Sequence, residues 1–426
     1  MIGDAPRRPG VALAATLAVQ LLGSFCLMVP AVLAPAVAPE LGFRPERVGL
    51  FVGIAYLAAM LSGLSSGRGV ASIGAVGLSQ ATMLGLGVGM LAIGIGHVAV
   101  LIVVALLFGV AYGFINPATA ELLNRHAPPA HRGLIFSLKQ SGVPLGVALA
   151  GVLMPLGLER IGWRWSLLLV GAACIGHALL LFAARRPLEP ERAAARERGG
   201  AAAGAGTRWA PPVAAGLPAL ARVLKDPPLR RVGIASFAFA FSQLCFVTFL
   251  VSYLNLERGQ SLALAAGVLA LSQVVSTVFR VVWGAVGDRW IGPGLLLGWL
   301  GIGAGFALLG LGALAGAGGG LRWTIALVVL CAITAMSWNG VFFAELARRT
   351  PRQELAAVAG AVQFMTFAGS MSGPVAFSEL LRSGFGYGFA YVLIAALPFA
   401  AGLMMVLRDE PMPAGPVAEA GRRRVD

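Results

Sequence analysis

Long apolar runs are the feature of this chain that most constrains its fold. Twelve runs of about 20 residues or more carry almost no charge, and an α-helix needs about 20 apolar residues to cross a bilayer. Only 12% of the residues are charged, whereas soluble domains contain about 25%. We therefore predict an all-α membrane protein with twelve transmembrane helices. We number the predicted spans one to twelve: 11–37, 47–66, 74–95, 98–122, 133–157, 162–184, 231–255, 262–284, 293–315, 323–345, 355–380 and 386–407.

The spans form two groups of six, separated by a segment rich in Ala, Gly, Pro and Arg. We predict that 1–184 is an N-terminal six-helix bundle, that 185–230 is a partly disordered cytoplasmic linker, and that 231–426 is a C-terminal six-helix bundle with a cytoplasmic tail. Most of the 32 Lys and Arg residues lie on the same side as the N-terminus, and the positive-inside rule assigns that side to the cytoplasm. We expect a multi-pass protein of a bacterial inner membrane, with both termini cytoplasmic.

Several other classes of protein are disfavoured. The net charge of +14 suggests a nucleic-acid ligand, but the basic residues are dispersed among apolar spans and form no continuous stripe. A receptor would need a sizeable soluble domain, and no segment between the spans is long enough to form one. A membrane enzyme would need a convergent catalytic set, and the four histidines are scattered along the chain. We therefore predict a monomer with no enzymatic activity, cofactor, metal site or nucleic-acid partner. The Cys and His residues are scattered singly: Cys26, Cys174, Cys245, Cys331, His97, His126, His131 and His177.

The two halves repeat short motifs at matching positions. Glu121 and Arg125 end span four, and Glu345 and Arg349 end span ten. In both pairs the residues are four apart and share one helix face, so we predict that they act in gating. Repeats of equal topology are typical of secondary transporters, whose substrate path lies between the halves near the bilayer midplane. The glycines Gly133, Gly142 and Gly146 recur at one offset as Gly360, Gly369 and Gly373.

An ordered set of motifs resembles the major facilitator superfamily over nearly the whole chain. Its signature turn after span eight is kept as Gly284, Asp288, Arg289 and Gly292, whereas Ala71 and Ser72 replace Asp and Arg in the first copy. The span-five glycine-proline motif is similar to residues 141–146. The resemblance implies two pseudo-symmetric six-helix bundles, alternating access around a central cavity, and a cytoplasmic gate that includes Gly284, Asp288 and Arg289.

Arg280 is the first candidate for substrate binding. It lies in span eight, which otherwise carries no charge, and an arginine inside a membrane costs about 2.5 kcal/mol or more. Its planar guanidinium matches a carboxylate. The motif Arg280-x-x-Trp283-Gly284 resembles the span-eight arginine of monocarboxylate and oxalate/formate carriers, which binds a substrate carboxylate. Alternatively, Arg280 pairs with Asp288 or Glu345, or extends to the cytoplasmic interface.

Lys139 is the second candidate. It is one of two lysines in the chain and lies within span five. It could contact an anion, act as a titratable group, pair with Glu121, or extend to the cytosol. In the superfamily, spans five and eight face each other across the two halves. The resemblance therefore implies that Lys139 and Arg280 reach the same cavity, where two unpaired cations would need an anion between them.

Uncharged polar side chains near span centres complete the predicted binding site. Each could instead form a hydrogen bond between helices. In the superfamily, spans one, four, seven and ten line the pathway. The candidates are Gln20, Tyr112, Asn116, Gln243, Gln273, Trp338 and Asn339.

These features predict a secondary active transporter that moves a small organic anion, a carboxylate, across the membrane. The coupling ion could be H+ or an exchanged anion. A proton-driven cation exporter is disfavoured because no acidic residue lies at the centre of a span and Ala105 replaces the arginine of the superfamily's span-four pattern. Export of a neutral metabolite or drug stays open, and a receptor or membrane enzyme is a weaker alternative.

Overall fold

The computed structural model describes residues 8–128, 132–190, 212–316, 319–351 and 354–408. Throughout these ranges the regular structure is helical, without strands. Ten of the helical segments are long and apolar enough to cross a membrane. One of them, Pro45–Ile93, has 49 residues and forms both span two and span three. With the 28-residue helix Leu355–Arg382 as span eleven, the predicted all-α fold with twelve spans is confirmed.

The helices extend the predicted spans by a few residues, because they continue beyond the apolar runs into interfacial sequence. Span four, for example, ends at His126 and not at residue 122. Spans five and ten each consist of two helices. From span one to span twelve, with spans two and three sharing one helix, the helices are Pro9–Glu40, Val48–Ile93, Val98–His126, Arg132–Gln140 with Gly142–Ile161, Trp163–Ala183, Pro227–Ser252, Leu262–Val286, Pro293–Gly316, Leu321–Thr334 with Asn339–Arg349, Leu355–Arg382 and Tyr387–Leu407.

Spans two and three meet at a bend where the sequence predicts a turn. The helix bends at Gly74, whose φ of 86° lies in the left-handed region that favours glycine. A Cβ on Gly74 would also lie 2.6 Å from Oε2 of Glu189. The Glu189 carboxylate accepts hydrogen bonds from the backbone N–H groups of Ala75 at 2.9 Å and Val76 at 3.3 Å. A residue that follows span six therefore caps the start of span three.

The segment predicted as a partly disordered linker contains helical structure at both ends. The short helix Arg185–Leu188 follows span six, and the helix Pro212–Lys225 precedes span seven. Val223 of the second helix is fully buried in an apolar cluster with residues of spans seven, nine, ten and eleven. Arg222, on the same helix, forms an ion pair with Glu354 at the start of span eleven. Residues 191–211 lie outside the described residues.

Small residues bring the two halves together near one end of the bundle. Gly49 of span two lies against the Pro374 carbonyl of span eleven. In span five, a Cβ on Gly151 would lie 2.6 Å from the Ala266 carbonyl of span eight. Such small residues let transmembrane helices approach closely. These contacts lie towards the ends of the spans opposite the N-terminus, so the halves are closed together at that end.

Aromatic and small apolar side chains fill the interior. Phe249 of span seven stacks on Phe377 of span eleven with ring centroids 4.5 Å apart, and both are fully buried. All four cysteines are buried with free thiols, as expected for small apolar core residues. Cys26 and Cys174 lie closest to each other, with 3.5 Å between their sulfur atoms.

Candidate functional site

Span ten is interrupted at its centre. Residues 335–338 are not helical and separate Leu321–Thr334 from Asn339–Arg349, whereas the apolar pattern predicts one continuous helix over 323–345. The Ser337 hydroxyl donates to the Ala332 carbonyl at 2.7 Å and lies 3.3 Å from the Ser276 carbonyl of span eight. Serine side chains compete in this way for backbone groups that a helix would otherwise use. Interrupted helices with free carbonyls are typical of substrate sites in transporters.

One face of span eight contacts this interruption. The Nε and Nη2 atoms of Arg280 donate to the Met336 carbonyl at 3.3 and 3.2 Å. The Ser276 hydroxyl donates to the same carbonyl at 3.0 Å. One turn beyond Arg280, Nε1 of Trp283 donates to the Ile333 carbonyl at 2.8 Å. Arg280 is therefore held inside the bundle by the backbone of span ten.

Arg280 forms no ion pair within the described residues. The alternative partner Glu345 is fully buried and instead accepts hydrogen bonds from Arg348 and Arg349 of its own helix. The side chain of Asp288, the other alternative, lies outside the described part of the structure. The guanidinium thus has a neutral carbonyl as its acceptor.

Lys139 is buried, with 3% of its surface exposed. Its Nζ donates to Oδ1 of Asn116 at 2.7 Å and lies 3.4 Å from Oε1 of Gln140. The alternative partner Glu121 is engaged by Arg125, whose Nε lies 2.8 Å from Oε1 of that carboxylate. Two neutral amides therefore hold the ammonium group in the interior, and no ion pair involves Lys139 in the portion of the chain that is described.

Span four connects the two cations. Tyr112 and Asn116 lie four residues apart on one helix face. Tyr112 lies close enough to Arg280 for an electrostatic interaction and is also near Tyr56 of span two. Asn116 binds Lys139 of the N-terminal half, and Tyr112 interacts electrostatically with Arg280 of the C-terminal half. Each cation is therefore linked to a residue on one face of span four.

Four more candidates surround the interruption in span ten. The indole Nε1 of Trp338 donates to Oε1 of Gln243 in span seven at 2.8 Å. The Gln273 amide nitrogen lies 3.8 Å from the sulfur of Met336. Asn339, which follows Trp338 in the chain, has an amide nitrogen that is buried without a hydrogen-bond partner. These side chains place polar groups from spans seven, eight and ten around one point.

Gln20 lies on the side of the site formed by span one. It is fully buried, and neither atom of its amide group has a hydrogen-bond partner. A Cβ on Gly142 would lie 3.0 Å from Cβ of Gln20, which places Gln20 beside span five just after Lys139. A buried amide without partners costs about 1–3 kcal/mol, so this position favours a bound polar group.

The predicted gating residues lie near the ends of their spans, on the same side of the bundle as the N-terminus. Glu121 and Glu345 pair with arginines of their own helices, including Arg125 and Arg349. The helix of span eight does not turn at Gly284. It continues through a π-helical segment, Gly287–Ile291, that contains the exposed Arg289 and ends at Gly292, where φ is 81°.

Some contributors to the site carry little signal in the sequence. The Met336 carbonyl becomes an acceptor because the helix is interrupted, and the four residues 335–338 contain neither Gly nor Pro. Ser276 could have been found, because it lies four residues before Arg280 on the same helix face. Tyr56 of span two, by contrast, is a hydroxyl donor that the sequence does offer as a cavity-lining residue, and its ring packs against Tyr112 of span four with centroids 5.9 Å apart.

Comparison with known proteins places this architecture in a family. The family model described as Major Facilitator Superfamily matches residues 16–374. A hexuronate transporter of Bacillus subtilis is 25% identical over 202 residues, which cover 47% of this chain and 45% of that protein. The probable sulfoacetate transporter SauU of Cupriavidus necator is 26% identical over 291 residues, which cover 63% and 64%. The chain therefore spans between about half and two thirds of the length of these relatives.

A solved structure supports the same fold. The crystal structure of a peptide transporter, POT, in complex with sulfate superimposes with a TM-score of 0.71 at 18% sequence identity, over 95% of this chain and 96% of that one. At this identity the likeness concerns the fold alone. With a family match over most of its length and twelve helical spans, this chain belongs to the Major Facilitator Superfamily.

Proposed function

We propose that this protein is a secondary active transporter that moves a small organic anion across the membrane by alternating access. The observation that carries the proposal is the pair of cations at span four. Arg280 and Lys139 approach one helix face from opposite halves, and each is held by neutral acceptors among the described residues. An anion between them would contact both halves of the transporter at once.

The energetics favour an anionic substrate. Burying a charge is costly unless it is paired and hydrogen-bonded. The Met336 carbonyl engages Nε and Nη2 of Arg280, and Nη1 makes no hydrogen bond within the described residues. A carboxylate can accept two parallel N–H bonds from a guanidinium, and such charge-assisted bonds are about twice as strong as neutral ones. Binding of a carboxylate would therefore stabilise Arg280 more than the carbonyl does.

The relatives support the same class of substrate. Two of them are named for hexuronate and sulfoacetate, and both of these compounds carry a carboxylate. We assign Arg280 as the main contact for this group and Lys139 as the second contact. Polar groups at Gln20, Tyr112 and Gln243 would contact the remainder of the substrate.

The packing of the halves supports alternating access. Contacts such as Gly49 with Pro374 and Gly151 with Ala266 close the bundle at the end opposite the N-terminus. If the basic loops are cytoplasmic, the closed end faces outwards and substrate enters the site from the cytoplasm. Rocking of one half against the other around the fixed site would then open the end that is closed in this structure and close the cytoplasmic end.

Counterflow in proteoliposomes tests the proposal. Vesicles with the purified protein are loaded with glucuronate, sulfoacetate, lactate or glucose, and uptake of the same labelled solute is measured. We expect saturable exchange of at least one carboxylate and no exchange of glucose. Arg280→Gln should abolish the exchange. Arg164→Gln, which alters an exposed arginine paired with Glu40, should not change it.

Two results would overturn the proposal. Exchange of glucose without exchange of any anion would indicate a carrier of neutral solutes. Anion exchange by a folded Arg280→Gln variant at the wild-type rate would remove Arg280 from the binding site. Adding a pH gradient to the same vesicles distinguishes coupling to H+ from exchange of anions, because only coupling to H+ drives net accumulation.

A further inference from the structure

The N-terminal half contains a cavity that lies away from the cation pair. Its volume is about 290 Å³, and residues of spans one, two, three, four and six line it at the end opposite the N-terminus. The described residues that line it are apolar except for two arginines, Arg44 and Arg47. No residue of the C-terminal half lines the cavity, so it is separate from the proposed substrate site. The apolar part of the wall includes Val29, Leu33, Val37, Phe51, Leu101 and Trp163.

The apolar part of the wall offers no hydrogen-bond partners to water or to a small anion. Apolar cavities in proteins stay dry, because water needs two to four polar partners. The lining side chains Leu50, Val98 and Ile102 are exposed on the surface of the bundle, with 38%, 48% and 45% of their area accessible. In the membrane these side chains face lipid. The cavity therefore opens towards hydrocarbon, and a hydrocarbon chain suits it.

The rim of the cavity carries residue types that are typical of the membrane–water interface. Trp163, which lines the cavity, donates from Nε1 to the Glu40 carboxylate at 2.8 Å, and Arg164 packs over its ring at 4.2 Å. Tryptophans with one polar contact are typical of the membrane–water interface. Arg47 is exposed and forms no ion pair within the described residues. Arg44, in contrast, lies beside a carboxylate, with its Nε 3.7 Å from Oε2 of Glu46.

We propose that this cavity binds an anionic phospholipid, with one acyl chain among the apolar side chains and the phosphate at Arg47. The charges at the rim favour an anionic headgroup over a zwitterionic one, because Glu46 lies beside Arg44 and Glu40 beside Arg164, whereas Arg47 has no carboxylate partner among the described residues. Basic residues beside cavities between transmembrane helices recognise anionic lipids on this principle.

Native mass spectrometry of the full chain in detergent tests the proposal. Dioleoyl phosphatidylglycerol is titrated against dioleoyl phosphatidylethanolamine, and the fraction with one bound lipid is measured. We expect one phosphatidylglycerol to bind in preference to phosphatidylethanolamine. Arg47→Gln should reduce that preference by about fivefold, the effect of one basic residue near a membrane surface. Arg160→Gln alters an exposed arginine at the same end that does not line the cavity, and it should keep the preference.

A second variant tests the acyl-chain site. Ala105 is fully buried in the wall, and Ala105→Phe should fill the cavity and abolish binding of the single lipid. If Ala105→Phe does not fold, dihexanoyl phosphatidylglycerol replaces it as a test on the wild type, and weaker binding than the dioleoyl lipid is expected. Equal binding of both headgroups by the wild type would overturn the proposal, as would lipid binding that persists in folded Ala105→Phe or is independent of chain length.

Discussion

Glu189 provides a strong test of how this fold is held together. Its side chain is 6% exposed, and its two oxygens accept the first backbone N–H groups of span three at 2.9 and 3.3 Å. Glu189→Ala would leave two buried donors without acceptors, at about 1–3 kcal/mol each, whereas loss of a helix cap costs about 0.5–2 kcal/mol. For two donors the first estimate is about 2–6 kcal/mol, and it meets the second at about 2 kcal/mol, which is the expected loss in the free energy of unfolding.

Thermal unfolding with a thiol-reactive dye measures this loss, because all four cysteines are buried in the folded protein. One kcal/mol shifts Tm by about 2–4 °C in domains of about 150–250 residues, so Glu189→Ala should lower Tm by about 4–8 °C. Glu189→Gln keeps one oxygen acceptor and loses the charge at the helix N-terminus, which is worth about 0.3–1 kcal/mol. Its Tm should fall between those of the wild type and Glu189→Ala.

The matched control is Glu159→Ala, which removes an exposed carboxylate from span five of the same half. Its Tm should stay close to that of the wild type. If Glu189→Ala also unfolds at the wild-type temperature, the cap does not stabilise span three and the reasoning is refuted.

This cap also bears on the signature turn of the family. The first copy of the signature turn has lost its acidic residue at Ala71, and Glu189 supplies a carboxylate to the helix that follows.

Three further predictions concern the site and the closed end. Asn116→Ala removes the 2.7 Å acceptor of Lys139 and should lower stability by about 1–3 kcal/mol; an unchanged Tm would contradict this. Ser276→Ala removes one of the groups bound to the Met336 carbonyl, a loss of about 1 kcal/mol, so transport should persist with a moderately altered KM; complete loss would mean that Ser276 contacts substrate directly. A Cβ added at Gly49 would lie 2.9 Å from the ring of Phe249, so Gly49→Val should separate the halves at the closed end. Labelling of cysteines engineered at that end by a membrane-impermeant thiol reagent should increase, and unchanged labelling would exclude this role.

The fold could be predicted from the sequence because each span must satisfy its backbone hydrogen bonds internally while it lies in lipid. Apolar runs of sufficient length therefore become helices, and the structure has them within a few residues of the predicted limits. The break in span ten could not be predicted in this way. It depends on Ser337 and on the contact with Ser276 of another span, which no local pattern records.

The candidate site was partly accessible from the sequence. Arg280 and Lys139 stand out because a charge within an apolar run needs a reason, and both are inside the bundle in the structure. Their acceptors were not predicted. The sequence offers carboxylates as alternative partners, but two of these, Glu121 and Glu345, are engaged by arginines of their own helices. The cap formed by Glu189 was also missed, because it joins residues 114 positions apart in the chain.

The most direct test of the account compares the binding of a transported carboxylate with that of its neutral amide. Titration calorimetry on the purified wild type and on Arg280→Gln gives the preference of each protein for the acid over the amide. A charge-assisted hydrogen bond is worth about 1.5–3 kcal/mol, so the wild type should bind the acid at least about tenfold more tightly. Arg280→Gln should bind acid and amide with similar affinity. If the variant keeps the full preference for the acid, Arg280 does not bind the substrate carboxylate.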